Sequence, residues 1–280
     1  MNSFIFLFIL IINFLLEIIL IKVFVELQKA KNITKRNYRD IELPSSVGAS
    51  IILISIFNIS FTYIIYQFKY IQYFEFEKFI LFYSVSIFVS FIGFIDDIFG
   101  DIKNKGFKGH IKSFLKEKKI STGFIKMVFI PISVIPIVFY KNNNLYKAII
   151  LLLFISLLIN LMNLFDLRPG RCLKIFILFY VITIPFSSIN ITTILPIILA
   201  IILIKGDLQE KYMLGDSGSN LFGFYLSYNI IHNCSFNFIL IVILLIIVFL
   251  LNILSEKISF SKIISSNKVL NFIDMIGRMN

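Results

Sequence analysis

Nine windows of nearly unbroken apolar sequence, at about 3-25, 44-67, 79-95, 124-140, 145-163, 173-189, 191-206, 218-232 and 236-255, leave little room for a soluble fold. A bilayer's hydrocarbon takes roughly 17–25 helical residues to cross, so each window reads as a span, the seventh and eighth being short enough to begin in polar loops that dip toward the membrane. Apolar residues make up 58% of the 280, against about 45–50% in soluble domains. The charged residues come in short bursts between the runs. The expected fold is therefore all-α, a polytopic integral membrane protein of about nine transmembrane helices forming one domain over 1-280. A disordered chain, a soluble α/β enzyme and a disulfide-stapled secreted domain are excluded.

Alternate loops set the orientation. Segments 28-43, 96-122, 164-174, 205-217 and 256-280 carry 21 of the 27 Lys and Arg, and the opposite loops carry 4. That asymmetry predicts an N-terminus outside and a cytoplasmic C-terminus. It also accounts for the net charge of +11 without nucleic acid. The first window lacks a basic leader and a small-residue cleavage site, so it reads as an uncleaved anchor. Cys172 and Cys234 fall near opposite surfaces, about 30 Å of hydrocarbon apart, whereas a disulfide needs Cα atoms within about 7 Å.

Seven acids, Asp96, Asp97, Asp101, Asp166, Asp207, Glu210 and Asp216, fall on the predicted cytoplasmic side although they come from three parts of the chain. Clustered carboxylates repel one another, so a single site relieved by Mg²⁺ or Mn²⁺ is expected. Asp96 and Asp97 point about 100° apart on a helix, which assigns them separate tasks, and Gly93 on the side of Asp97 would leave room for a substrate. Asn160, Asn163 and Asp166 step by three along a span and its exit turn; interhelical hydrogen bonding and ligand contact are both open for Asn160. Arg168 and Arg171 follow, as forks onto phosphate or as orientation signals. In Met213–Gly223 a Gly/Ser-rich turn opens a helix whose free N–H groups would attract a phosphate or a carboxylate cap, with Asp216 or Ser217 as an N-cap. Lys126 is a lone cation just inside the fourth window. Segment 106-120 sets Phe107, Ile111 and Phe114 against Lys108, Lys112 and Lys116 at helical spacing, as in a helix lying flat on anionic lipid.

With Asp-Asp after one span, Asn-x-x-Asn-x-x-Asp at a later one and Gly-Asp-Ser-Gly-Ser later still, the chain resembles the polyprenyl-phosphate N-acetylhexosamine-1-phosphate transferases over roughly residues 44 to 255. That family includes phospho-MurNAc-pentapeptide translocase. The resemblance implies an enzyme of the bacterial cytoplasmic membrane in cell-wall or surface-polymer synthesis, in which a polyprenyl phosphate attacks the β-phosphate of a UDP-sugar and releases UMP. Its partners would be polyprenyl phosphate, a UDP-N-acetylhexosamine and membrane lipids, with a homodimer left open. By motif, Asp216 and Asp97 would hold Mg²⁺, and Asp96 and Asp97 would orient or deprotonate the lipid phosphate. Lys126, Asn160, Asn163, Asp166, Arg168, Arg171 and Ser217 would contact substrates. The chain departs from the translocase at Leu167-Arg-Pro-Gly170, where a second Asp-Gly is expected, and segment 256-280 lacks the histidines of a sugar-recognition loop. Asn267, Asp274 and Arg278 are the polar candidates there, and a simple UDP-N-acetylhexosamine, UDP-GlcNAc first, is the expected donor. A Mg-dependent intramembrane prenyltransferase, a transporter and a catalytically degraded membrane scaffold are the competing readings.

Overall fold

The structure is a computed structural model that describes residues 3–100, 121–140 and 142–278. Asp101 and the amphipathic segment 106-120 lie outside the described residues. The described residues form α1 (Ser3–Ala30), α2 (Ser50–Gln67), α3 (Tyr73–Phe99), α4 (Thr122–Phe139), α5 (Leu145–Phe165), α6 (Arg171–Thr183), α7 (Ile191–Leu208), α8 (Gly215–Tyr228), α9 (Phe238–Lys257), α10 (Phe260–Ser266) and α11 (Lys268–Met275). Each predicted window falls on one of α1 to α9. Among the described residues seven of these, all but α6 and α8, are long and apolar enough to cross a membrane. The seventh window is thus not short: α7 has 18 residues, whereas α6 has 13 and runs into a 3-10 turn at Ile184–Phe186.

Burial is inverted relative to a water-soluble bundle. Helix α1 buries Asn13, Glu17 and Gln28 while Phe4, Leu7, Ile11 and Ile19 face outward. Polar residues join helices where no water competes. Asn13 and Asn58 of α2 exchange amide hydrogen bonds at 3.0 and 2.7 Å, and Ser50 donates to Glu17 at 2.6 Å.

One departure from an all-helical chain stands at the site-bearing end. Strands β1 (Thr34–Arg36) and β2 (Glu42–Pro44) pair antiparallel, with Lys35 opposite Leu43. Asn37 makes the turn, its Oδ1 accepting from the N–H groups of Arg39 (2.8 Å) and Ile41 (3.0 Å). Met213 N–H then donates to Pro44 O (2.8 Å) and Gly48 N–H to Leu214 O (3.0 Å), so the strand exit is stitched to the start of α8.

Helix α8 sits in the middle, buried from Ser217 to Tyr228 and packed against α3, α5, α6 and the 3-10 turn Val47–Ala49. A helix enclosed by protein needs no apolar exterior, and α8, whose window 218-232 was read as a short span, has 14 residues and is less apolar than the seven candidate spans. Two glycines let it sit close. A Cβ on Gly48 would strike the backbone of Gly218, and one on Gly93 the backbone of Asp216 and Ser217. Beyond Tyr228 the helix relaxes into a π turn, Asn229–Asn233, whose amides bond to Thr183, Ser187 and Thr192 near the ends of α6 and α7. Both cysteines are free, as their predicted separation requires.

Candidate active site

The first turn of α8 meets the ends of α3, α4 and α5, and the side chains there divide into a structural cap and a charged pocket. Asp97 is the cap. Its Oδ1 accepts from Asp216 N–H (2.9 Å) and its Oδ2 from Ser217 N–H (3.1 Å) and Ser46 Oγ (2.5 Å). A carboxylate lent by α3 thus neutralises the amino-terminal end of α8. Ser46 Oγ also bonds Ser217 Oγ at 2.8 Å, and Gln28 holds Ser46 through both its backbone groups. Lys35 lies 3.9 Å from Asp97 Oδ1.

Several expectations are corrected here. The space beside Gly93 is filled by the α8 backbone rather than left for a substrate. Of the two occupants expected for the α8 N–H groups, a phosphate or a carboxylate cap, the cap takes those of residues 216 and 217, through Asp97. Asp97 is engaged through both oxygens and is 4% exposed, so its contacts here are those of a helix cap. Ser217, fully buried in the cap, is a scaffold group rather than a substrate contact.

The pocket is built around Lys126. From the first turns of α4 its Nζ pairs with Asp216 and lies 3.5 Å from Asp96 Oδ2. With its amide turned to suit its neighbours, Asn163 accepts from Lys126 Nζ (2.8 Å) and donates to Asp216 Oδ1 (2.8 Å) and Ser219 Oγ (2.9 Å). The neighbouring acids do have separate tasks: Asp97 holds the helix end and Asp96 faces the pocket. Asp166, at the exit of α5, is held well above the ordinary carboxylate range, first by enclosure and then by Asp207, Asp216 and Asp97.

Beside the pocket opens a cleft of about 330 Å³, lined among others by Arg36, Tyr38, Asp166, Arg168, Asp207 and Tyr212. The Arg168 guanidinium lies 4.0 Å over the Tyr38 ring and has no carboxylate partner among the described residues, which leaves its N–H fork for a ligand. Asp207 forms the cleft's structural side, accepting from Gly170 N–H at 2.8 Å. Glu210 accepts from Asn37 (2.7 Å) and lies 3.5 Å from Arg39, fastening the hairpin turn.

Two expected substrate contacts point elsewhere. Asn160 donates to Asn252 of α9 at 2.7 Å, the interhelical alternative. Arg171, 3% exposed, forks onto Asp274 at 2.8 Å through Nε and Nη2. Asp274 and Arg278, expected to meet the sugar, are bound to each other at 2.7 Å, and Arg278 also donates to Pro169 O at 2.8 Å. Ser46, Lys35 and Tyr38 were missed by the sequence reading. The run of small residues Pro44-Ser-Ser-Val-Gly-Ala-Ser50, which opens the second window, is the signal that marks the first of them.

Among the described residues no group of three His, Cys, Asp or Glu side chains converges closely enough to cage a cation. Asp96 and Asp216, both oxygen donors, fit the other common arrangement, in which one or two carboxylates and the phosphates of a substrate share a Mg²⁺. No family model matches the chain, and comparison with curated proteins finds no match.

Proposed function

We propose that the protein transfers N-acetylhexosamine-1-phosphate from a UDP-sugar to a membrane polyprenyl phosphate, on the cytoplasmic side of a bacterial cytoplasmic membrane, for cell-wall or surface-polymer synthesis. The observation that carries this reading is Lys126 held by Asp96, Asp216 and Asn163 at the ends of apolar helices, beside a cleft edged by Arg36 and Arg168. In this reading α1 to α9 cross the bilayer with the N-terminus outside, in keeping with the distribution of bases.

The lipid phosphate would meet Lys126 while its chain stays along the spans, and the donor would enter through the cleft with its diphosphate on Arg168 and Arg36. An oxygen of the lipid phosphate attacks the β-phosphorus. The bond from that phosphorus to the oxygen shared with the α-phosphate breaks, and UMP leaves with the electron pair, so no other reactant is needed. Asn163 fixes Lys126 against Asp216, and the ammonium offsets negative charge where the two phosphates approach. Asp96 and Asp216 would hold Mg²⁺ or Mn²⁺, which supplies further neutralisation of the diphosphate. The commitment of Asp274 and Arg278 to Arg171 and Pro169 leaves segment 256-280 with few directed groups, which supports a simple UDP-N-acetylhexosamine, UDP-GlcNAc first.

Exchange of radiolabelled UMP into UDP-GlcNAc, UDP-GalNAc and UDP-MurNAc-pentapeptide, with undecaprenyl phosphate present, tests the reading. Exchange should require Mg²⁺ or Mn²⁺ and vanish in Asp216→Asn while helicity is kept. Arg168→Ala should raise the donor KM by roughly tenfold, the loss of about one charge-assisted hydrogen bond. Near-normal exchange in Asp216→Asn would defeat the assignment, and preference for the pentapeptide donor would defeat the choice of sugar alone.

A further inference from the structure

The chain leaves α9 at Lys257 and at once forms α10 and α11, at the same end of the molecule as the pocket. Two contacts pin this pair of helices. Phe260 is buried and stacks on Phe165 at the end of α5, with ring centroids 5.0 Å apart. Asp274 receives the forked guanidinium of Arg171 and a further bond from Arg278, while Lys174 Nζ donates to its carbonyl at 2.6 Å.

The orientation that results is inside out for a surface in water. Asp274 is the buried residue of α11, at 7% exposure, whereas Val269, Phe272, Ile273 and Ile276 are between 49% and 70% exposed. Because Arg171 of α6 forks onto Asp274, and Arg278 just beyond α11 holds Pro169 O, the helix is tied against rolling to hide that face. Leu250 and Ile253 near the end of α9 are exposed, and so is Ile258, which joins α9 to α10. Lys257, Lys262 and Lys268 are exposed alongside. An apolar face that follows a span in the chain and is accompanied by bases is suited to the boundary between anionic headgroups and acyl chains.

We propose that the outward face of α11 is seated in the membrane interface, with anionic phospholipid as its partner, and that the grip on Asp274 fixes its rotation there. This inference does not depend on the transfer chemistry. The chain has no tryptophan, so Phe272→Trp gives a single reporter in the full-length protein, reconstituted in vesicles of mixed zwitterionic and anionic phospholipid. Lipids brominated near the headgroup end of their acyl chains should quench its emission by at least about twofold, with little quenching by aqueous acrylamide. Quenching by acrylamide but not by brominated lipid would overturn the proposal by placing the face in water. Shielding from both would overturn it by placing the face against protein, such as a second copy of the chain. Val269→Trp reads the same face if Phe272→Trp fails to fold.

Discussion

Asp96 and Asp97 are neighbours of the same type, yet the structure gives them separable signatures under the same substitution. Asp97 accepts from Asp216 N–H (2.9 Å), Ser217 N–H (3.1 Å) and Ser46 Oγ (2.5 Å). Asp97→Asn keeps one oxygen and turns an NH₂ toward a donor, so at least one buried backbone N–H loses its acceptor, at about 1–3 kcal/mol. The lost charge at the helix terminus adds about 0.3–1 kcal/mol. At roughly 2–4 °C per kcal/mol for a chain of this size, the combined cost of about 1–4 kcal/mol lowers the melting midpoint by about 3–16 °C. Asp96 lies 3.5 Å from Lys126 with its side chain 19% exposed, and Lys126 keeps Asp216 and Asn163. Asp96→Asn therefore costs about 0–1 kcal/mol, within a few degrees of the parent. Cys172 is fully buried, so a fluorogenic thiol reagent in a Cys234→Ser background reports unfolding directly. Equal midpoint shifts for the two variants, or none for Asp97→Asn, would refute the assignment of Asp97 to the helix cap. Both variants should lose transfer, but only Asp97→Asn should lose stability with it.

Gly93→Ala places a methyl group against the α8 backbone and should cost about 1–3 kcal/mol and most of the activity, read by the same melt; an unchanged midpoint would show that α3 and α8 are not in contact there. A double-mutant cycle of Asn160→Leu and Asn252→Leu should give a coupling near 0.6 kcal/mol, and no more than about 1.7, with transfer unchanged. A collapse of turnover at intact stability would return Asn160 to the substrate site. Enclosure acts to raise Asp274, but Arg171 and Arg278 prevail and hold it below the ordinary 3.8. A carboxylate lowered by folding stabilises above its ordinary value and loses that contribution as pH falls through the lowered one. Melting midpoints of the parent and Asp274→Asn should thus differ at neutral pH and converge as the pH falls through the lowered value; a gap that persists in strong acid would contradict the ion pairs.

What could be read from the residues alone follows physical range. Long apolar runs report burial in lipid at every position, so α1 to α7 and α9 were legible in their windows, and the acids that follow those runs marked one end as the candidate site. The central helix was read as a short window, 218-232, with glycines and a polar motif at its start, but its enclosure by protein was not legible in the sequence. Roles within the cluster were less legible. Whether Asp97 binds a ligand or caps a helix depends on α8, which lies more than a hundred residues along the chain. Arg171 and Asp274 form a pair that no spacing rule connects. The hairpin of residues 34–44 was missed because each strand is three residues long, too short to show an alternation, although Asn37 and Asp40 mark its turn.

The enclosure of α8 has a consequence for how the chain is made. A helix emerging from the ribosome partitions into lipid by its own length and apolarity, and α8, with 14 residues, is not among the described helices long and apolar enough to do so alone. Its contacts on α3, α5, α6 and the turn Val47–Ala49 all precede it in the sequence. The socket is therefore synthesised before the helix that fills it, and on the proposed nine-span reading α8 inserts against protein rather than lipid. A ribosome stalled just after α7 would leave a bundle with an open polar seam, closed only when the Gly215–Tyr228 segment arrives.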